Sequence, residues 1–187
     1  MKVINFFGAP GVGKTTTAMW LTSLLKKSNI DAEISLEFVK EYIFSGNENL
    51  LAYQNYIFAQ QDRQLRILQT SNEVEFAITD APLLHSAFYE PERYPIFFKD
   101  LVFEIFNSYD NINFFIKRNH PYSHQARIHD EKKSDYITRK LPIFLSNYNI
   151  PFMEIYSTDD MEEKVLSHVL KNRVIGYKRK ERGQAHS

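Results

Sequence analysis

Hydrophobic and polar positions alternate along the chain in a way that predicts strands and helices in turn. Lys2 to Phe7 is a short run of β-branched and aromatic residues that ends at a glycine, which indicates a buried first strand. Lys14 to Lys27 then carries apolar residues at helical spacing. The same signals predict four further strands, at Ala32 to Leu36, Val74 to Thr79, Ile112 to Lys117 and Phe152 to Tyr156.

Helical patterns occupy the intervals between these strands. They cover Phe38 to Leu68 with a break near Ser45-Gly46-Asn47, then Pro95 to Ser108, Ile137 to Leu145, and a closing helix from Asp159 to Lys171. Strands that alternate with helices form parallel sheets covered on both faces. The sequence therefore predicts a three-layer α/β/α fold with a five-stranded parallel sheet.

Composition narrows the class of protein. The chain has 187 residues, enough for one compact domain, and no cysteine, which excludes disulfides and thiolate metal sites. Its 23 basic and 23 acidic residues give zero formal net charge, which argues against broad attraction to nucleic acid or an anionic membrane. No apolar run approaches the roughly 20 residues that span a bilayer. With no signal pattern before the first strand, a cytoplasmic location is expected.

The predicted domain comprises residues 1–172, and residues 173–187 form a basic, polar tail. Lys178, Arg179, Lys180 and Arg182 lie in this tail. A frayed, solvated terminus is the favoured interpretation, and a nucleic-acid contact is the alternative.

The strongest chemical signal follows the first strand, where GAPGVGKT fits the P-loop pattern G-x-x-x-x-G-K-[ST]. Glycines let backbone N–H groups converge on a phosphate, and the next helix presents its positive N-terminal end. We expect Lys14 to contact the β- and γ-phosphates of ATP and Thr15 to ligate Mg²⁺. The residues predicted to bind the nucleotide are Gly8, Ala9, Pro10, Gly11, Val12, Gly13, Lys14, Thr15 and Thr16.

Asp80 ends the third predicted strand, where P-loop folds place a side chain that faces Mg²⁺ and the phosphates. Ala81 and Pro82 follow it, so no glutamate is supplied there to polarise a water molecule. The fourth strand is not followed by the N-K-x-D motif that reads guanine. Both absences favour transfer to an acceptor over hydrolysis. The alternative interpretation of Asp80 is an N-cap for the following turn.

An acceptor site is predicted around the second strand and the helix that follows it. Glu37 lies just past that strand and is the candidate general base; a first-turn glutamate stabilised by the helix dipole is an equal alternative. On the helix from Tyr53 to Arg66, an aromatic such as Tyr56 can stack on a base and an amide such as Gln61 can hydrogen-bond its edge. For any one of these residues, the more common explanation is that an aromatic side chain belongs to the core and a polar side chain to the surface.

The polar segment from Asn119 to Arg139 is the predicted lid, because a polar loop between a strand and a helix can close on a substrate and exclude water. Arg127 lies at its centre and is expected to reach the phosphates on closing. The three histidines of this segment lie in loop-like sequence without an acidic ligand set, which disfavours a zinc site.

Several segments together resemble the small P-loop nucleoside and nucleotide kinases over nearly the whole chain, up to about Tyr156. They are the P-loop, ISLEFVKEY, YIFAQQDRQLRIL, AITDAPLLHSAFY, the lid and IPFMEIY. The most similar branch is common in bacteriophages, is often labelled AAA-like ATPase and is related to ribosylnicotinamide kinase domains. Its TDSPLL-type motif matches TDAPLL here, with Ala81 in place of the serine.

The resemblance implies an ATP-dependent phosphotransferase that uses Mg²⁺ and has an acidic residue after its second strand. It also implies that Asp80 lies near the metal and that Arg127 is the lid arginine. Gln61 and Arg63 match the positions where the family's third helix carries a glutamine and an arginine that face the acceptor. The helical lid is part of the P-loop NTPase fold expected from this resemblance.

The sequence therefore predicts a kinase that transfers the γ-phosphoryl group of ATP to a nucleoside, a nucleotide or a related small molecule. Two alternatives stay open: a kinase that acts on a hydroxyl of modified DNA, and a nucleotide-binding regulatory protein that hydrolyses ATP slowly. Zero net charge disfavours nucleic acid as a partner, and the basic tail mildly favours it. No membrane partner is expected, and the sequence leaves open whether the chain forms a homodimer.

Overall fold

The computed structural model describes residues 1–36, 42, 45–89, 94–117, 131–158 and 160–184. These residues contain five strands, β1 (Lys2–Phe7), β2 (Ala32–Ser35), β3 (Phe76–Thr79), β4 (Asp110–Lys117) and β5 (Met153–Tyr156). Their helices are α1 (Lys14–Lys27), α2 (Gln54–Thr70), α3 (Leu84–Phe88), α4 (Ile96–Asn107), α5 (Glu131–Asn147) and α6 (Met161–Gln184). A 3₁₀ turn, Glu48–Ala52, precedes α2.

The strands form one sheet in the order β2-β3-β1-β4-β5, and every neighbouring pair is parallel. All carboxyl ends therefore meet at one edge of the sheet. Strand β1 lies between β3 and β4, and the strand order reverses there. In α/β sheets, ligands bind at such a switch point, beyond the carboxyl ends of the strands. The segment after Phe7 is thus placed where a ligand site is expected.

Helices cover the sheet in two groups, as predicted for a three-layer α/β/α fold. One group contains α1 and α6, which contact each other; α1 packs on β1, β2 and β3, and α6 packs on β5. The second contains α2, α3 and α4, joined by α5 through Phe144, whose ring centroid lies 5.6 Å from that of Phe88 and 5.9 Å from that of Phe103. Because both faces are covered, most side chains of β1 and β4 are buried.

A row of asparagine side chains fixes the register of β1 against β4. Asn5 Nδ2 donates to the side-chain oxygens of Asn111, at 2.8 Å, and Asn113, at 3.0 Å. Asn113 in turn donates to the carbonyl of Pro151 at 2.9 Å. A slip of one residue would leave these buried amides without partners, so the network holds the carboxyl end of β4 at a set position beside the loop that follows β1.

Most predicted boundaries agree with the structure, and the differences have local causes. β1 and α1 have the predicted bounds, whereas β3 begins at Phe76 rather than Val74. Helix α5 begins at Glu131, six residues before the predicted Ile137, so the last part of the segment predicted as a lid is helical and Pro142 lies inside the helix. The five-residue α3 was not predicted, because so short a helix shows no hydrophobic period.

The closing helix is longer than its predicted span from Asp159 to Lys171, since α6 continues to Gln184. The guanidinium of Arg173 donates to both carboxylate oxygens of Glu75, at 2.7 and 3.0 Å, which ties the first residue of the predicted tail to the start of β3. The domain boundary at residue 172 stays a prediction. Of the helices described, none has an apolar stretch of the length needed to cross a bilayer.

Candidate nucleotide site

The loop between β1 and α1 passes so close to β4 that its first residue must be glycine. Gly8 has φ +145°, and a Cβ atom there would lie 2.7 Å from the carbonyl oxygen of Ile116 and 2.9 Å from Cγ2 of Val12. Such distances are well inside van der Waals contact. The sequence supplies the residue that this close approach requires.

Lys14 places its positive charge at the mouth of this loop. Its Nζ donates to the carbonyl oxygens of Gly8 and Ala9, each at 3.0 Å. At the same helix start, Thr17 Oγ1 donates to the carbonyl of Gly13 at 2.9 Å. Phosphate oxygens accept stronger, charge-assisted hydrogen bonds from an ammonium than neutral carbonyls do. The Lys14 ammonium is therefore held where it can transfer to a phosphate that enters the loop.

Thr15 and Asp80 come together from α1 and the end of β3, as the sequence predicts. Thr15 Oγ1 donates to Asp80 Oδ2 at 2.5 Å, and Asp80 is only 2% exposed. A hydroxyl that donates its proton to a carboxylate keeps its lone pairs for a cation, and hydroxyl and carboxylate oxygens are ligands that Mg²⁺ accepts. The pair fits a magnesium site. The N-cap residue of α3 is Leu83.

The turn after Asp80 carries no second carboxylate. Its backbone is held by a hydrogen bond from the Ala81 N–H to Thr79 Oγ1 at 3.0 Å, and Ala81 and Pro82 are buried. These two residues fill the position from which an acidic side chain could activate water. The chemistry at the end of β3 is limited to what Asp80 itself can do.

The predicted acceptor residues on α2 have different environments. Gln61 is 6% exposed, whereas Arg63 is exposed to solvent. Tyr56 is half-buried, and its hydroxyl hydrogen-bonds that of Tyr42 at 2.6 Å. Helix α2 is anchored at the carboxyl end of β2 by Ser35 Oγ, which donates to Gln64 Oε1 at 2.6 Å. Gln61 is thus the one of these three that turns into the protein.

Two further predicted site residues, Glu37 and Arg127, lie outside the described residues, so their positions stay predictions. On both sides of the segment that contains Arg127, the chain lies near the P-loop: the Ile116 carbonyl faces Gly8, and Ser134 is close to Pro10. Lys117 is the last residue of β4, and Ser134 on α5 contacts the carbonyl oxygen of Pro10 at 3.5 Å.

Sequence reasoning missed His85 and Ser86 on α3. His85 Nε2 is buried without a hydrogen-bond partner in the described part of the chain, and its ring meets that of Phe7 edge-on at 5.5 Å. Burial of the imidazole, and secondarily the charge of Lys14, lowers the pKa of His85 to about 3, so the ring is neutral at pH 7. Their position one turn past Asp80 is the signal that could have identified them.

Comparisons with known proteins agree with this architecture. The model of a family described as "AAA domain" matches residues 3–164. Among solved structures, thymidylate kinase from Ehrlichia chaffeensis superposes with a TM-score of 0.60 over 90% of this chain and 98% of that chain, at 16% sequence identity. At that identity the likeness shows the fold alone. No curated protein matches the chain.

Proposed function

The chain belongs to the AAA domain family, and we propose that it is an ATP-dependent phosphotransferase. It transfers the γ-phosphoryl group of ATP to a nucleoside, a nucleotide or a related small molecule. The observation that carries the proposal is the geometry of the donor site, in which Lys14 and the Thr15–Asp80 pair converge on a loop too tight for any residue but glycine at Gly8.

Each residue of the donor site has a defined role in this proposal. The loop amides and Lys14 bind the β- and γ-phosphates and offset the charge that develops between them. Thr15 and Asp80 would hold Mg²⁺, which supplies further charge neutralisation when bound. Because the transition state of phosphoryl transfer is loose, positioning and electrostatics account for most of the catalysis.

The residues after Asp80 support transfer rather than hydrolysis. Buried Ala81 and Pro82 offer no base for a water molecule, so the phosphoryl group leaves ATP efficiently only when an acceptor is bound. We assign the orientation of the acceptor hydroxyl to Glu37 and the closure over the transferring group to Arg127. The positions of Ile116 and Ser134, which lie near the P-loop before and after the segment of Arg127, support the second assignment.

The class of acceptor rests on fold and resemblance. The solved neighbour is named for thymidylate, a nucleotide, and the shared fold brings a nucleoside-type or nucleotide-type acceptor into the proposal. The closer relation to the phage branch and to ribosylnicotinamide kinase domains rests on TDAPLL and the other segments quoted above. Both remain parts of the proposal, as does the cytoplasmic location.

ADP release measured with and without acceptors tests the proposal. The panel contains nucleosides, nucleotides, nicotinamide riboside and a DNA oligonucleotide with modified bases. Turnover that rises at least tenfold with one small-molecule acceptor is the expected result. ATP hydrolysis at the same rate with every addition and with none would instead identify a slow regulatory ATPase, and turnover only with the oligonucleotide would identify a DNA kinase.

A further inference from the structure

Three buried polar atoms lack hydrogen-bond partners within the described part of the chain. They are Gln61 Oε1 on α2, and His85 Nε2 and Ser86 Oγ on α3. Gln61 is 6% and Ser86 1% exposed, while His85 is half-buried with its Nε2 fully enclosed. A buried polar atom without a partner destabilises a protein, and most such atoms in folded proteins find one. A ligand bound between these two adjacent helices would explain all three atoms.

The three atoms lie on the carboxyl side of the sheet, beside the donor site. Helix α2 leads from the end of β2 back to the start of β3, and Gln64 meets Ser35 at the end of β2. Gln61 is one turn closer to the N-terminus of α2 and therefore lies beyond that edge. Helix α3 packs against α2 and follows Asp80 closely, and the His85 ring sits on Phe7, the last residue of β1.

All three groups are uncharged, which restricts what they can bind. Gln61 offers a carbonyl oxygen, Ser86 a hydroxyl and His85 a neutral imidazole. The described residues of α2 and α3 include two cationic side chains, the exposed Arg63 and Arg66, which pairs with Asp62 at 2.6 Å. A phosphate monoester enclosed by this wall would need buried cations, whereas an uncharged molecule with N–H, O–H and C=O groups would satisfy all three atoms.

We propose that the phosphoryl acceptor is an uncharged, hydroxyl-bearing molecule of nucleoside type, and that Gln61, His85 and Ser86 bind its polar groups. Gln61 Oε1 accepts an N–H or O–H of the ligand, and Ser86 Oγ donates to a carbonyl. His85, whose ring contacts Phe7 at the start of the P-loop, positions the reacting end. This inference rests on the proposed phosphotransferase function and narrows its acceptor class.

The transfer step balances with this acceptor. The acceptor hydroxyl oxygen forms a bond to the γ-phosphorus, and the bond from that phosphorus to the β–γ bridging oxygen breaks. ADP leaves with the electron pair of the broken bond, and the hydroxyl proton is released to solvent. His85 takes no proton in this step, because an imidazole with so low an affinity for protons positions a hydroxyl by hydrogen bonding instead.

A substrate comparison tests the acceptor class. Adenosine, guanosine, cytidine and thymidine are each assayed beside their 5′-monophosphates, with ATP and Mg²⁺. We expect the kcat/KM of at least one nucleoside to exceed that of its monophosphate by tenfold or more. Turnover confined to monophosphates would overturn this inference and leave the phosphotransferase proposal standing. ATP hydrolysis that no member of the panel accelerates would overturn the phosphotransferase proposal itself.

The variants Gln61→Met and Ser86→Ala test the residues, with Gln69→Met, an exposed glutamine on the same helix, as control. Each test variant should raise the acceptor KM about tenfold and leave the ATP KM within twofold. Because each removes a buried atom without a partner, the free protein should melt about 2–4 °C higher. A lower melting temperature with an unchanged acceptor KM would show that these side chains serve the fold, and would contradict the assignment.

Discussion

The two halves of the site differ in how their polar atoms are satisfied. On the donor side, the Lys14 ammonium bonds two loop carbonyls and the Thr15 hydroxyl bonds Asp80. On the acceptor side, within the described residues, Gln61, His85 and Ser86 each bury a polar atom without a partner. The donor half is therefore stable as it stands, whereas the acceptor half bears a cost in stability that a ligand would relieve.

This contrast separates two ways of building a site. The donor half is formed by one continuous loop and by a single residue, Asp80, that follows the neighbouring strand β3. The geometry of the parallel strands is enough to bring these parts together. The acceptor half needs two helices from distant parts of the chain to pack together. Changes to the donor half should therefore act on catalysis with ATP whatever the acceptor, and changes to the acceptor half should act on one substrate only.

The largest effect is expected from Lys14→Ala. Loss of the ammonium removes charge stabilisation from the transferring phosphoryl group, so kcat should fall roughly 10³-fold with every acceptor. Lys26→Ala on the same helix, which breaks only a pair with Glu33, is the control and should retain activity. Full activity of Lys14→Ala would remove the P-loop from the mechanism.

Asp80→Asn should have the next largest effect, because a carboxylate holds Mg²⁺ far better than an amide. We expect activity to fall roughly 10–100-fold and to recover partly as the Mg²⁺ concentration is raised. Asp110→Asn, at the opposite edge of the sheet, should leave the magnesium titration unchanged. An Asp80→Asn titration that overlays the wild-type curve would exclude Asp80 as a ligand.

Gly8→Ala tests the tightness of the donor loop. The new methyl group would overlap the Ile116 carbonyl at a backbone φ that side chains avoid, so unfolding free energy should fall by about 3 kcal/mol and ATP affinity should drop. Gly46 has φ +72°, but a Cβ atom built there has no neighbouring atom within 4 Å. The control Gly46→Ala therefore introduces backbone strain without a clash, and it should lower the unfolding free energy by about 1 kcal/mol. If denaturant unfolding gives the same loss of unfolding free energy for both variants, the close approach to Ile116 is unimportant.

The pH dependence of stability probes the acceptor half. The pKa of His85 is about 3 in the folded chain and about 6.5 when unfolded, so the unfolded chain binds more protons between these values. The part of the stability that is linked to His85 is fully present above pH 6.5 and falls by up to about 1.4 kcal/mol per pH unit as the pH drops towards 3. His85→Gln should flatten this slope. The more exposed His168, whose pKa is also lowered, gives the control His168→Gln, which should change the slope less.

The smallest effect is expected from Ser35→Ala, which removes the anchor of α2 at β2. The Gln64 carbonyl loses its donor, so stability should fall by about 1 kcal/mol. Because α2 carries Gln61, the acceptor KM should rise a few-fold while the ATP KM stays constant. A change in the ATP KM of the same size would mean that the two halves are not independent.

How far the site could be predicted depends on how local its parts are. The loop from Gly8 to Thr15 is recognisable because its pattern is contiguous, and Asp80 because it ends a strand that must reach the same edge. His85 and Ser86 belong to a helix of five residues, too short to show a period, and their burial depends on α2, which is distant in sequence. Burial of Gln61 has the same non-local origin.

The helices show the same distinction. Helix α1 begins after the P-loop glycine and has lysines in its last turn, so both of its ends can be predicted from the sequence. Helix α5 contains Pro142, and α6 continues through basic residues that local signals assign to a tail. Contacts such as that of Arg173 with Glu75, 98 residues away, hold such segments and are absent from any local pattern.

Transfer of a labelled phosphoryl group tests the central claim most directly. ATP that carries heavy oxygen in its γ-phosphoryl group is incubated with the protein, Mg²⁺ and the acceptor that most stimulates ADP release, and the products are weighed by mass spectrometry. We expect the heavy oxygens to appear in a phosphorylated acceptor, in an amount equal to the ADP formed. Heavy oxygen found only in inorganic phosphate would contradict it.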